Sequence, residues 1–432
     1  MRRLFRKIWN DRRGNALVIA GASMPLVMGC AGLASDTIQW SLWKRQLQRA
    51  TDSAAMAGVY AVVDGKSHTA AVDNDLVINN HTGISLLSKT VTQPTLANYT
   101  NAVKVSLSIQ KPLPFSSMFM TASPTIVTEA TAALVKEGEY CVIALNNTTS
   151  PSIVINGNIT INMGCGIISN STSTSTQQTA AAIAVSGNSH VVNATPIAAV
   201  GAVPSINGTN TEQSYQLKQS DPYAGKYPTN IPDPSTCKTL AQHVTAAATT
   251  TGGYKVINPG CYKAQGNGNS AANSAFSTSN ELIALNPGTY YIDSADFDIG
   301  ANSNIKVNSA NGNEGVTIIL TGATPGRVNI SANATVDLRA PSSGTYSKML
   351  FIQKAGATTN SIISGNSASK YDGAFYFPST SVEYAGNAAD TFKCAMIVGY
   401  VVTFSGTSNV QNNTNGCYAN TKEQVQRVRL VA

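Results

Sequence analysis

The chain is 432 residues long, has only 12% charged side chains and carries a formal net charge of +7. The first 13 residues supply +5 of that charge, so the remaining chain is near neutral, which argues against a nucleic-acid partner. The length allows one small and one large domain.

The chain opens on a basic arm, residues 1–13, with Arg2, Arg3, Arg6, Lys7, Arg12 and Arg13. An uncharged, largely apolar run follows from Gly14 to Ser35. Its 22 residues would span about 33 Å as a helix, close to the hydrocarbon thickness of a bilayer. Basic residues stand before the run and Asp36 after it, so the six basic side chains read as topology determinants. They keep the N-terminus cytoplasmic and send the rest across the membrane. Two other readings compete with an uncleaved anchor. One is a cleaved secretory signal, with Gly32 and Ala34 before the cut; the other is a lipoprotein signal at Val27-Met28-Gly29-Cys30.

The pattern beyond favours the anchor. Trp40, Trp43, Leu47, Ala50, Ala54, Ala57 and Ala61 recur at spacings of three and four, a heptad seam running through residues 36–63. Lys44, Arg45, Gln46, Gln48, Arg49 and Asp52 fill the other faces. The spacing predicts a stalk helix continuous with the membrane run, its seam free to pair with another helix.

The segments Asp11-Arg12-Arg13-Gly14-Asn15-Ala16-Leu17-Val18-Ile19-Ala20, Gly32-Leu33-Ala34-Ser35-Asp36 and Trp43-Lys44-Arg45-Gln46-Leu47-Gln48-Arg49-Ala50-Thr51-Asp52-Ser53-Ala54-Ala55 carry a resemblance. Together they resemble the N-terminal region of TadG-like proteins of the bacterial tight-adherence (Tad/Flp) pilus assembly systems. The related pilins are cut after a Gly and carry a Glu five residues on; here that residue is Ile19. The resemblance implies a non-enzymatic inner-membrane protein that projects into the periplasm. It would be a scaffold or minor pilin-like factor for pilus biogenesis and adherence. Its partners would be other Tad/Flp components, foremost pseudopilin-like single-span proteins. No cofactor and no metal are implied, and the DxSxS motif of the von Willebrand A domain found in some TadG proteins is absent.

Residues 64–138 read as a small α/β segment. Val103, Val105, Leu107 and Ile109 alternate with polar residues, a half-buried strand. A short helix is expected over Phe115–Met120 and a second strand over Thr125–Val135. From residue 139 to 432, short β-type runs alternate with Gly-Asn or Asn-Ser corners, as at Gly157, Gly187, Gly365, Gly386 and Gly406. The recurrence predicts a β-solenoid, right-handed and parallel β-helix-like, with Asn and Ser/Thr ladders along the stack. An antiparallel sandwich is the alternative, since the same corners make hairpins. Pro204–Pro234 and Lys263–Asn280 read as loops or linkers. The fold class is therefore mainly β, behind an N-terminal transmembrane and stalk α-helix and a small α/β segment.

Six cysteines fall in three local couples, Cys141 with Cys165, Cys237 with Cys261, and Cys394 with Cys417. Their number and spacing favour disulfides in an oxidising compartment, although six cysteines allow many connectivities and free thiols are the alternative. No catalytic motif is found. The densest acidic group, Asp293, Asp296 and Asp298, is the place to look for polysaccharide chemistry or calcium, with solvated corner residues as the plainer reading. Tyr215, Tyr223, Tyr227, Tyr371 and Tyr376 offer either a contact face for a surface-displayed adhesin or caps on a core.

Overall fold

The structure is a computed structural model. It describes residues 12–431 apart from 79–84, 98, 188, 244–251, 267–273, 367, 387–390, 394, 407–408 and 414–422. The chain divides into two compact units, residues 1–136 with 426–432, and residues 137–425.

Unit 1 is built on one long helix, α1 (Arg12–Val63), followed by α2 (His68–Ile78). The C-terminal strand Glu423–Leu430 falls largely within this unit, and three strands precede it in the chain: β1 (Ser88–Thr92), β2 (Thr100–Gln110) and β3 (Thr125–Ala144), the last of which runs on into unit 2. β2 lies between the other two and pairs antiparallel with both, through Val91↔Val105 and Val105↔Ala130. The chain returns here at its end, where the Val431 N–H donates to the Thr131 carbonyl at 2.8 Å. The alternation expected along β2 is present: Val103, Val105, Leu107 and Ile109 are all buried. They meet Leu47, Ala54, Ala55 and Val59 of α1, Val72 of α2, and Ile126, Ala130 and Ala132 of β3. Each large side chain buried in this way contributes about 1.5–3 kcal/mol. At Gly58 the helix runs close against the sheet: a Cβ there would stand 2.8 Å from Val103 Cγ1.

Part of the predicted transmembrane span, Gly14–Val18 and Ala20, lies outside the residues whose side chains are described. Among the described residues no helix is long and apolar enough to cross a membrane. The structure therefore does not carry the predicted span. Gly, Ala, Ser and Pro25 dilute the apolar content of this stretch.

Among the described residues, the regular structure of unit 2 is β apart from a short 3₁₀ turn (Pro234–Thr236) and one helical turn (Leu240–His243). Every strand pairing described in it is parallel, whereas a sandwich of hairpins would pair antiparallel. Most strands pair with the strand three further on, and the offset is 22 residues for Ile283↔Ile305, 30 for Ile153↔Ile183 and 33 for Ile319↔Ile352. Three successive strands therefore make one rung, and the next rung lies in register beside it. Inward aromatic rings follow one another across rungs: Phe276–Phe297 at 4.9 Å, Phe297–Phe351 at 6.2 Å and Phe351–Phe375 at 5.4 Å. Asparagines do the same at the corners, with Asn308 donating to Asn286 at 2.7 Å and Asn286 to Asn258 at 2.6 Å. At Gly157, where φ is +105°, a Cβ would stand 2.4 Å from the Gly406 carbonyl oxygen, so this corner admits only glycine.

The order of rungs differs from the order of the chain. The strand Met396–Gly406 pairs on one edge with Ala374–Gly386 (Tyr376↔Val398). On its other edge it meets the end of β3 (Ile397↔Val142) and Ile153–Gly157 (Val402↔Ile153). The C-terminal rung thus neighbours the first one. The series runs from Lys255–Ile257 through to Met396–Gly406, then Ile153–Gly157, then Ile183–Ser186 and Ile197–Ala199.

Residues 214–243 must carry the chain from one end of this series to the other, and they do so as a strap. Gln219 exchanges two 2.9 Å hydrogen bonds with Asn170. Tyr376 donates to Asp221 at 2.8 Å, Tyr223 donates to Met396 Sδ at 3.1 Å, and the Tyr227 hydroxyl meets that of Thr321. Cys237 is joined to Cys261, and His243 stacks on Tyr262 at 4.0 Å. The Pro204–Pro234 stretch read from sequence as a loop or linker falls largely within this strap. Within Lys263–Asn280, also read as a loop, Ser274–Thr278 is instead a strand paired with Asp296–Ile299.

Candidate functional site: the apolar helix and the turn held against it

From Ile19 to Ile38, α1 displays apolar side chains on several faces. Leu26, Val27 and Met28 are consecutive and all exposed, and successive helical residues point about 100° apart. Met24, Leu33 and Ile38 are exposed as well. Large apolar side chains exposed on several faces are a surface that calls for a cover.

The character changes at Gly32 and Asp36, one turn apart on one face. The Phe115 ring lies where a Gly32 Cβ would project, 2.3 Å from that point. The Asp36 carboxylate, 3% exposed, accepts the Phe115 N–H at 2.8 Å, the Ser116 N–H at 2.5 Å and the Ser116 hydroxyl. Burial works to raise the Asp36 pKa. The Ser116 hydroxyl and the two backbone N–H groups outweigh it and hold the carboxyl below its ordinary value of 3.8. The expected helix over Phe115–Met120 is a single 3₁₀ turn, Ser116–Met118. Sequence reasoning found Gly32 and Asp36 as parts of a motif, but not Phe115 and Ser116 as what they hold.

Beyond Asp36 the predicted seam takes different roles. Trp40 is 37% exposed, with Lys44 Nζ 5.1 Å from its ring centroid. Trp43 is half-buried, with Lys111 Nζ at 5.5 Å. Leu47 and Ala54 are buried in the core of unit 1, Ala50 packs partly against it, and Ala57 is half-buried. This part of the seam is covered by the chain's own sheet, so it is not free to pair with another helix. Heptad periodicity shows that a face is to be buried, without showing what buries it. Arg2, Arg3, Arg6 and Lys7 lie outside the described residues, as do the side chains of Arg12 and Arg13, whose backbone forms the start of α1.

The other candidates lie in unit 2. Cys141–Cys165 and Cys237–Cys261 are disulfides, while Cys394 and Cys417 lie outside the described residues. Asp296 accepts the Arg327 N–H at 2.9 Å and its Nε at 3.3 Å, and Asp298 accepts Asn329 Nδ2 at 2.7 Å. Both carboxylates are thus engaged by residues 31 positions further on, one rung away. Burial is the main cause that raises the Asp298 pKa, opposed by the Asn329 hydrogen bond. Among the described residues no group of three or more His, Cys, Asp or Glu could hold a metal ion. Of the five tyrosines, Tyr371 and Tyr376 are buried, Tyr223 and Tyr227 are half-buried within the strap, and Tyr215, also in the strap, is exposed.

No curated protein and no solved structure matches the chain. Residues 14–63 match the family described as putative Flp pilus-assembly TadE/G-like. The match covers α1 almost from end to end, including Gly32, Asp36 and the seam. Over this helix the chain is similar to the TadE/G-like Flp pilus-assembly family, a match consistent with a TadG-like protein.

Proposed function

We propose that the protein is a membrane-anchored, non-enzymatic component of Tad/Flp pilus assembly, a scaffold or minor pilin-like factor. The observation that carries this reading is the TadE/G-like match over residues 14–63, falling on a helix whose described N-terminal part is apolar on several faces. The uncharged run 14–35, taken whole, is the anchor, with the basic arm on the cytoplasmic side and unit 2 in the periplasm. Two disulfides in unit 2 suit an oxidising compartment. The in-register parallel rungs support closure into a right-handed β-solenoid, a rigid surface against which other pilus components assemble. With the lower part of the seam occupied internally, the partner helix meets α1 above Leu47, at the exposed residues between Ile19 and Trp40.

The test is deletion of the gene in its source bacterium, with surface pili counted by electron microscopy and pilin level measured alongside. The reading predicts that pili vanish while pilin is still made. Pili at normal number would exclude a role in assembly and leave a surface adhesin as the better account.

A further inference from the structure

The turn between β2 and β3 is apolar beyond what unit 1 requires. Residues 112–124 carry no charge. Met118 is 75% exposed, Phe119 74% and Met120 52%, and the core of the unit closes without them. Three adjacent large apolar side chains left in water are costly unless something covers them.

The turn is also held in place. Asp36 clamps its backbone at Phe115 and Ser116, the Phe115 ring sits on Gly32, and the Phe119 ring lies 5.3 Å from that of Phe115. These contacts set Met118–Met120 beside the last turn of the apolar run, where Leu33 of α1 is exposed as well. One to three turns further along the helix stand Trp40 and Trp43, each with a lysine ammonium near its ring face. Aromatic rings and lysines just beyond an apolar segment are the composition of a membrane–water interface, where lysine meets anionic headgroups.

We infer that Met118, Phe119 and Met120 insert into the phospholipid interface where α1 leaves the membrane. The turn is then a second membrane contact, and the Asp36 clamp sets its depth. Continuity with the exposed apolar helix and the flanking Lys44 and Lys111 favour lipid over a protein as the occupant. A second contact beside the helix would prevent unit 1 from swivelling about a single span. The inference rests on the anchored reading above.

The test uses the full chain in vesicles of phosphatidylethanolamine and phosphatidylglycerol. An environment-sensitive fluorescent residue replaces either Phe119 or Leu26, leaving the cysteines untouched. Lipids brominated near the headgroup end of their chains serve as quenchers, and iodide as the aqueous one. The inference predicts at least about a two-fold loss of emission at 119 with brominated lipid, and little quenching by iodide. Quenching by lipid at 26 but not at 119 would overturn the inference and leave the anchor standing. Protection from both quenchers at 119 would also overturn it, in favour of a protein cover. Absence of lipid quenching at both positions would remove the anchored reading itself.

Discussion

Unit 1 buries one face of a helix against a small sheet through a set of individual contacts. Among them are the Thr51–Thr128 hydroxyl pair at 2.6 Å, the Gly58 approach and the Asp36 clamp. Unit 2 repeats a few contacts many times: a row of inward rings, asparagine corners and in-register strands. The first strategy concentrates stability in a single core. The second spreads it between neighbouring rungs, so that damage should stay local except where the strap ties distant rungs together.

The largest effects should come from the two cores and should separate. Phe297→Ala removes a fully buried ring between Phe276 and Phe351 and is expected to destabilise unit 2 by about 3–5 kcal/mol. Leu47→Ala should cost unit 1 about 2–5 kcal/mol. Hydrogen exchange reads both: the first should open strands between Ser274 and Ile330, the second β2 and β3, each sparing the other set. Next comes the strap. Replacing Cys237 and Cys261 by Ser frees a loop closed over a separation of 24 residues, worth about 3 kcal/mol. Exchange should rise first around residues 233–243 and then along the strap toward Asp221. Loss confined to the rung of Cys261 would show that the strap does not couple distant rungs.

The smaller predictions concern two aspartates in opposite states. Asp36 has a lowered pKa, so its contribution is fully present above 3.8 and is lost as pH falls through its lower folded value. Asp36→Asn should speed exchange of the Phe115 and Ser116 amides at neutral pH, remove that acid dependence and leave the core strands unchanged. Asp298 has a raised pKa, so its ionised form opposes folding as pH climbs through the folded value. Asp298→Asn should leave thermal stability at neutral pH unchanged or raised by less than about 1 kcal/mol. A large loss there would mean that the Asn329 contact outweighs burial.

Much of this architecture is readable residue by residue. The spacing from Trp40 to Ala61 marks a helix, the alternation at Val103–Ile109 a strand, and the Gly-Asn corners a series of short strands. What escapes is what each face meets. Leu47 and Ala54 call for a partner surface, and periodicity alone does not distinguish β2 from a second protein. Likewise, the pairing of Val402 with Ile153 joins residues 249 positions apart, and no local signal encodes such a register. The strap is hidden for a related reason. Its contacts are isolated hydrogen bonds that join Gln219, Asp221, Tyr223 and Tyr227 to scattered rungs, a pattern that reads in sequence as a polar loop. α2 is hidden in the sequence as well, being short and lacking a clear apolar period.

The central proposal is that this protein works in pilus assembly while held at the membrane by residues 14–35. The most direct measurement complements the deletion strain with a chain in which that run is replaced by a cleavable secretory signal, and counts surface pili. The account predicts that the released protein accumulates in the periplasm, with both units folded, and that no pili return. Full restoration of pili by the released form would contradict it.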